Sequence, residues 1–393
     1  MKIAYFTDLF LPQANGIATS LANQARSLGE AGHSVLIFTP KLDHIPRDQF
    51  QAKNVTVIAL PSIPSLIYTE LHLVVFGLPK AMKYLKKFNP DIIHLQSTMT
   101  IGIDALMAAK LLKKPLVGTI HIYFTNSDYL YIIKYKLAVK LLGKMAFNYV
   151  NFLYKKCDLL FAPSKTLITE LKNNGFTKQV HYLPNGLYLK EPKFLNDQEK
   201  IKIKRKYGLK EKVVLHFGRL SYEKSVDELI KSFHKLVIDH TNISLLIIGD
   251  GPAKKYLTRL VKKLGIEDIV VFTGFIDHHL LLSSGLLSIG DLFATASTME
   301  VNPMAVLEAM LYGLPIVGVK QAGLIELVTT NGFLIRPDNI EDLTKKIEKI
   351  LYNKELAAKM RAQSLKLVKP YSTDKTTARL LYFYQKIISK DKS

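Results

Sequence analysis

Two glutamates, Glu300 and Glu308, lie in the stretch Ala296-Ser297-Thr298-Met299-Glu300-Val301-Asn302-Pro303-Met304-Ala305-Val306-Leu307-Glu308-Ala309-Met310. Asn302 suits a helix N-cap and Pro303 the first helical position, with Gly313 and Pro315 ending the helix. Glu300 is then expected on the loop before the helix and Glu308 inside it. The free amides of the first turn, among them those of Met304 and Ala305, would face an anion. The spacing alone also fits two solvated helix charges. What argues otherwise is that Glu308 is flanked by Leu307, Ala309 and Met310, so its carboxylate needs a hydrogen-bond donor.

Positive partners stand in Phe217-Gly218-Arg219-Leu220-Ser221-Tyr222-Glu223-Lys224-Ser225. Arg219 would leave the end of a strand and Lys224 would open the next helix. A planar guanidinium fork and an ammonium point charge at one crevice suit a diphosphate, although Lys224 by itself reads equally well as a surface residue. Ile248-Gly249-Asp250-Gly251-Pro252 and Thr273-Gly274-Phe275-Ile276 are glycine turns at strand ends, where backbone can approach a ligand. Leu11-Pro12-Gln13-Ala14-Asn15-Gly16 leads into a helix and could offer the Gly16 N–H to an anion. No GxGxxG or GxxxxGK[ST] fingerprint is present, which argues against an NAD enzyme or a P-loop ATPase.

The elements that must hold these residues recur as short apolar runs followed by segments of helical period. Residues 3–7, 34–39, 91–95, 116–120 and 158–162 read as buried strands, and 17–31 as a helix ended by Gly32. The pattern restarts at 213–217 and continues through 244–248, 269–272, 292–294 and 315–318. Such alternation makes parallel sheets wrapped by helices. Leu183-Pro184-Asn185-Gly186 and the lysine-rich 190–212 mark a boundary. The expected domains are 1–188, 189–370, and a helix over 371–393 carrying Leu380, Leu381, Phe383, Tyr384, Ile387 and Ile388.

The chain has 393 residues, 48% hydrophobic and 22% charged, which excludes a mainly disordered protein. Its 54 Lys and Arg against 33 Asp and Glu give a net charge of +21, pointing to an anionic partner. The single Cys157 cannot form an internal disulfide and reads as a small buried residue at a helix end; no zinc spacing is present. Asp8 interrupts the N-terminal apolar run too early for a signal peptide, and no apolar run is long enough to span a bilayer. A reducing, cytoplasmic setting with peripheral membrane contact is expected.

Taken in order, Asn15-Gly16, Gly32-His33, Gly118-Thr119-Ile120-His121, Ala162-Pro163-Ser164, Pro184-Asn185-Gly186, Gly218-Arg219 with Lys224, Gly249-Asp250-Gly251-Pro252, Gly274-Phe275 and the Glu300/Glu308 pair resemble the retaining, sugar-nucleotide-dependent glycosyltransferases of family 4. The resemblance spans nearly the whole chain and implies the GT-B fold, two Rossmann-like domains across a cleft. It implies a hexosyltransferase that retains anomeric configuration by same-face attack. Arg219 and Lys224 would hold the donor diphosphate and Glu308 the ribose, with the turns at Gly249, Gly251, Gly274 and Phe275 lining the nucleotide. Glu300, Asn302 and the amides of Met304 and Ala305 would grip the sugar. Gly16 would lie against the phosphate, and His121 near the sugar and the departing phosphate. The cations stand where a metal's charge would otherwise be needed, so no metal is implied and the nucleotide-sugar is a co-substrate. Pro303 departs from many relatives by removing one N–H.

For the acceptor, residues 129–156 carry six lysines, no acidic residue and seven aromatics (Tyr129, Tyr131, Tyr135, Phe147, Tyr149, Phe152 and Tyr154). Residues 79–88 place Lys80, Lys83 and Lys87 on one helical face. Both suit an anionic lipid surface and equally an amphipathic helix packed on a sheet; no RNA-binding signature accompanies them. Residues 121–132 are similar to diacylglycerol glucosyltransferases, which use UDP-glucose at the membrane's inner face. The resemblance thus implies UDP-glucose as donor, diacylglycerol as acceptor and an anionic membrane surface as partner, with no nucleic acid. Phosphatidylinositol mannosyltransferases using GDP-mannose share nearly every other motif. A UDP-sugar epimerase of the same fold and a pure binding protein are the readings from other classes.

Overall fold

The computed structural model describes residues 1–11, 15–42, 50–65, 71–121, 136–188, 192–321 and 323–390, with the side chains of 136–143, 146 and 390 left aside. The chain divides into two compact units, Met1–Gly186 with Thr373–Ser393, and Leu187–Ser372.

In the first unit, β1 (Lys2–Phe6), β2 (Ser34–Pro40), β3 (Val55–Leu60), β6 (Ile92–Leu95), β7 (Leu116–Thr119), β8 (Leu159–Ala162) and β9 (His181–Tyr182) form one parallel sheet, while β4 (Ser62–Pro64) and β5 (His72–Val74) pair as a small antiparallel ribbon. The sheet order is β3-β2-β1-β6-β7-β8-β9, so the winding reverses between β1 and β6. The central strands are buried on both faces because helices cover both. The first four are α1 (Gly16–Glu30), α2 (Gly77–Phe88), α3 (Ile101–Leu112) and α4 (Lys136–Lys156). The final helix, Thr373–Lys390, belongs to this unit: Leu380 and Tyr384 are fully buried among Ile3, Tyr5, Leu21 and Phe161, and Leu381, Phe383, Ile387 and Ile388 pack against them. Cys157, just past α4, is buried, which pushes its thiol up to about 12.

In the second unit β10 (Lys212–Phe217), β11 (Ile243–Ile248), β12 (Val270–Gly274), β13 (Leu292–Ala294), β14 (Ile316–Val319) and β15 (Gly332–Ile335) form a parallel sheet ordered β12-β11-β10-β13-β14-β15. Its winding reverses between β10 and β13. Val214 joins the core on one face of this sheet, and Val213 and Leu215 the core on the other, as the two-residue period of a strand dictates.

The structure adds β3, β4, β5, β9 and β15 to the strands expected from sequence. Most positions of β3 are only half-buried, because it is the sheet edge, and so it lacks the apolar run that marks a central strand. Among the described residues no helix is long and apolar enough to cross a membrane.

Candidate functional site

In open parallel sheets the crevice for ligands opens where the winding reverses, beyond the carboxyl ends of the strands. In the second unit that point is flanked by the loop after β10, with Gly218 and Arg219, and the loop after β13, with Ser297 to Asn302. Lys224, in a short 3-10 turn (Tyr222–Lys224), donates from Nζ to Glu300 Oε1 at 2.7 Å. Both side chains are largely enclosed, 25% and 15% exposed, so this pair is less screened than a surface salt bridge. The structure thus joins the second cation and the first glutamate.

Glu300 owes its position to a residue that sequence reasoning passed over. The Gly323 N–H donates to the Glu300 carbonyl at 2.6 Å, and a Cβ on Gly323 would run into the Val301 carbonyl. Only glycine lets the turn after β14 press this closely on the glutamate loop.

The helix carrying Glu308 is Met304–Leu311, and Pro303 is its N-cap (φ −70°, ψ 119°), one residue later than expected; Asn302 lies buried just before it. Pro303 therefore takes an extended conformation, and the Met304 and Ala305 amides open the helix. Glu308 is 4% exposed, and the donor its burial requires is His278 Nε2, at 2.7 Å from Oε1. His278 opens a short helix (His278–Ser283) capped by Asp277, directly after Gly274-Phe275-Ile276. Sequence reasoning missed it; the sign was a histidine pair beside the glycine turn.

The glycine turns come together. The Gly218 N–H donates to the Ile248 carbonyl and the Gly249 N–H to the Gly274 carbonyl, both at 3.0 Å. Gly249 has φ 143°, and a Cβ there would collide with the Gly218 carbonyl. The ends of β10, β11 and β12 thereby form one shelf on which Gly251 lies half-buried and Phe275 is 58% exposed. Asp250, beside it, pairs with Lys254 at 2.6 Å. Arg219 is half-buried at the shelf's inner end, next to Gly218.

Gly16 and His121 belong to the first unit. Gly16 is the exposed first residue of α1, whose N-cap Asn15 accepts the Ile17 N–H at 2.8 Å. His121 follows β7, partly buried, and its Nε2 lies 3.0 Å from Gln96 Oε1. Burial holds its pKa down at about 4, so the ring is neutral at pH 7. Asp8, at the end of β1, accepts from Ser97 Oγ at 2.8 Å and the Met99 N–H at 2.9 Å, while burial pushes its carboxyl up to about 6.

On α2, Lys80, Lys83 and Lys87 are exposed beside Tyr84, and Phe76, just before the helix, is 92% exposed. On α4 the expected basic–aromatic face is mixed: Phe152 is 53% exposed, but Tyr154 is buried and donates to the Thr119 carbonyl at 2.8 Å. Tyr129, Tyr131, Tyr135 and residues 122–132 lie outside the described residues, as do Pro12, Gln13 and Ala14. Among the described residues no group of three or more His, Cys, Asp or Glu is placed to hold a metal ion.

Comparison with known proteins agrees with this layout. Residues 197–366 match the family Glycosyl transferases group 1, and residues 14–191 match Glycosyltransferase Family 4. The chain is 27% identical to an alpha-monoglucosyldiacylglycerol synthase of Streptococcus pneumoniae over 85% of this chain and 74% of that one. It is also 27% identical to the synthase of the same name from Acholeplasma laidlawii, over 100% and 98%. Among solved structures, HepE of Anabaena in complex with UDP-glucose overlays with a TM-score of 0.75 at 20% identity, covering 97% of this chain and 99% of that one. The fold is GT-B, and the chain belongs to the family 4 glycosyltransferases.

Proposed function

We propose that this protein is a retaining hexosyltransferase that moves glucose from UDP-glucose to diacylglycerol at a membrane surface. The observation that carries the donor half is the Lys224–Glu300 pair at the β10/β13 reversal, beside Arg219. When the sugar–phosphate bond breaks, negative charge grows on the diphosphate, and preorganised cations stabilise it most where water is limited. Arg219 and Lys224 take that role in this reading, with no metal invoked. Lys224 turns part of its charge from Glu300 to phosphate, which frees the Glu300 carboxylate to accept from sugar hydroxyls. Asn302 and the Met304 and Ala305 amides add donors at the helix start. Glu308 accepts from the ribose while His278 holds its other face. Gly249, Gly251, Gly274 and Phe275 supply backbone and a ring face for the nucleotide. In the first unit, Gly16 offers its N–H to phosphate, and His121 meets a substrate hydroxyl.

Support for UDP-glucose comes from the HepE complex, and for a diacylglycerol acceptor from the two named synthases. The exposed lysines of α2, with Phe76 and Tyr84, fit a protein that docks on anionic lipid at the cytoplasmic face of the membrane, at about 1 kcal/mol per lysine. The test is transfer of label from UDP-[14C]glucose into the organic phase, using purified protein and anionic liposomes with and without diacylglycerol. Label in lipid only when diacylglycerol is present is the expected result. UDP release without lipid label would remove the glycerolipid acceptor, and silence in both phases followed by transfer from GDP-mannose would remove the donor.

A further inference from the structure

His121 is the near end of a hydrogen-bonded chain that runs through the first unit's core to the C-terminal helix. His121 Nε2 lies 3.0 Å from Gln96 Oε1, and Gln96 Nε2 lies 3.4 Å from His94 Nε2. His94 Nε2 also lies 2.8 Å from Thr119 Oγ1, and His94 Nδ1 lies 2.5 Å from the Tyr384 hydroxyl. Tyr384 reaches Tyr5 at 3.4 Å, and Tyr5 donates to Gln24 Oε1 at 2.7 Å. The chain joins β7, β6, β1, α1 and the helix Thr373–Lys390.

Proton positions follow from counting donors, starting at the far end. Tyr5 gives its one hydroxyl proton to Gln24, so the contact with Tyr384 needs the Tyr384 proton. Tyr384 then has none for His94, so His94 Nδ1 carries the proton between them. His94 is fully buried, and burial holds it neutral, so its Nε2 is a bare acceptor. The Thr119 hydroxyl donates to that nitrogen, and Gln96 must turn its NH2 side toward it, because a carbonyl oxygen there would face a lone pair. Gln96 Oε1 is thereby turned to His121, and an oxygen can only accept. His121 must carry its proton on Nε2.

The geometry points to Gln96, backed by His94 and Tyr384, as a positioning residue that fixes His121 as the neutral Nε2–H tautomer and leaves Nδ1 as an acceptor for a substrate hydroxyl. The inference rests on the reading of His121 as a substrate contact. It refines that contact, since a bare nitrogen accepts from a hydroxyl and offers nothing to a phosphate oxygen. Among the described residues no partner is placed on His121 Nδ1. The hydroxyl belongs either to the donor sugar or to the acceptor.

Histidine-selective 15N labelling of the full chain, with His121 assigned by its loss in His121→Gln, reads the tautomer directly. At pH 7 the His121 signals should be those of a neutral Nε2–H ring. An Nδ1–H or imidazolium pattern would overturn the proposal whether or not the protein transfers sugar. Tyr384→Phe keeps the ring packing but removes the relay oxygen, and should give a mixture of tautomers at His121; an unchanged spectrum would overturn the link to the C-terminal helix. Gln96→Glu keeps an acceptor but adds a charge, which favours the imidazolium. The other titratable groups along the chain, His94, Tyr5 and Tyr384, are held neutral by burial, and Asp8 lies nearby on Ser97. Transfer by Gln96→Glu should therefore fall about tenfold near pH 6.5 and recover as pH rises, where the parent is flat. A raised KM for UDP-glucose would assign the hydroxyl to the sugar, and a raised KM for the lipid would assign it to the acceptor. A flat profile with full activity would overturn the positioning role. Full activity in His121→Gln with the Nε2–H tautomer intact in the parent would remove the substrate contact and leave the relay standing.

Discussion

At the β10/β13 reversal a charged pair, Lys224 with Glu300, stands beside the buried His216, which burial pushes toward the neutral form, and Lys254 pairs with Asp250 close by. At the β1/β6 reversal the histidines are neutral and hydrogen-bonded: His94 and His121 lose their protons to burial, while Asp8 keeps its own only up to about pH 6 and is a carboxylate above that. The two sheets share strand direction and winding, so topology does not set this difference. Burial does. Lys224 and Glu300 keep partial access to water and find each other, whereas Asp8 and His94 are enclosed without a counter-charge, and enclosure penalises the charged form. One architecture thus yields a crevice whose cations suit a diphosphate and another whose neutral histidines suit hydroxyls.

The sharpest way to break the comparison is to remove charge from the charged side. Lys224→Ala should lower the transfer rate by about 10³-fold, since it strips one cation from the developing diphosphate charge and leaves Glu300 unneutralised. Single-turnover transfer from UDP-glucose measures this. A loss below tenfold would mean that the pair is structural and that the two reversal points do not differ in chemistry.

The smaller charged device is His278–Glu308. Glu308→Ala should weaken UDP binding by about 2 kcal/mol, the scale of a hydrogen bond to a charged group. His278→Ala should cost about threefold, because it touches the carboxylate rather than the ribose. Titration calorimetry with UDP separates them; equal losses would show that histidine and glutamate bind as one unit.

How much of this was legible in the sequence follows the same divide. Arg219, Lys224, Glu300 and Glu308 stand in short contiguous motifs after strands, because a charged crevice is built from loop residues that local pattern exposes. The central strands were legible for a related reason, since a buried parallel strand is an apolar run. His94 was hidden inside one of those runs and Gln96 directly after it, and the residues they are chained to, Tyr384, Tyr5 and Thr119, come from distant segments that only the sheet order brings together. Gly323 was missed because its task, a close approach to Glu300, has no local signature. His278 sat in view beside a glycine turn, but its partner is thirty positions away in the sequence. The edge strand β3 and the short β9 carry too little apolar pattern to stand out.

The enclosed side can be tested through stability. Asp8 has one carboxylate oxygen bonded to Ser97 and Met99, while Oδ1 is buried with no hydrogen-bond partner. An acid whose pKa rises from 3.8 unfolded to about 6 folded holds its proton more tightly in the folded state, so stability is greatest below the unfolded value and falls as pH climbs through about 6. His121 runs the other way: held at about 4 against 6.5, it contributes fully above 6.5 and is lost as pH drops toward 4. The two trends oppose each other between those limits, and the lowered values of the buried His94 and His216 add to the second. Asp8→Asn removes only the first trend. Its gain above pH 6 is bounded at about 3 kcal/mol by the two-unit shift. The amide needs an acceptor where Oδ1 has no partner, which costs about 1–3 kcal/mol, so a net gain of about 1 kcal/mol is expected at pH 7.5. At pH 5 the variant should be the less stable of the two. Urea midpoints followed by circular dichroism at pH 5, 6 and 7.5 read the crossover, the chain having no tryptophan to report it. A difference between variant and parent that does not change with pH would mean that Asp8 is charged throughout, and that burial does not set protonation at the β1/β6 reversal.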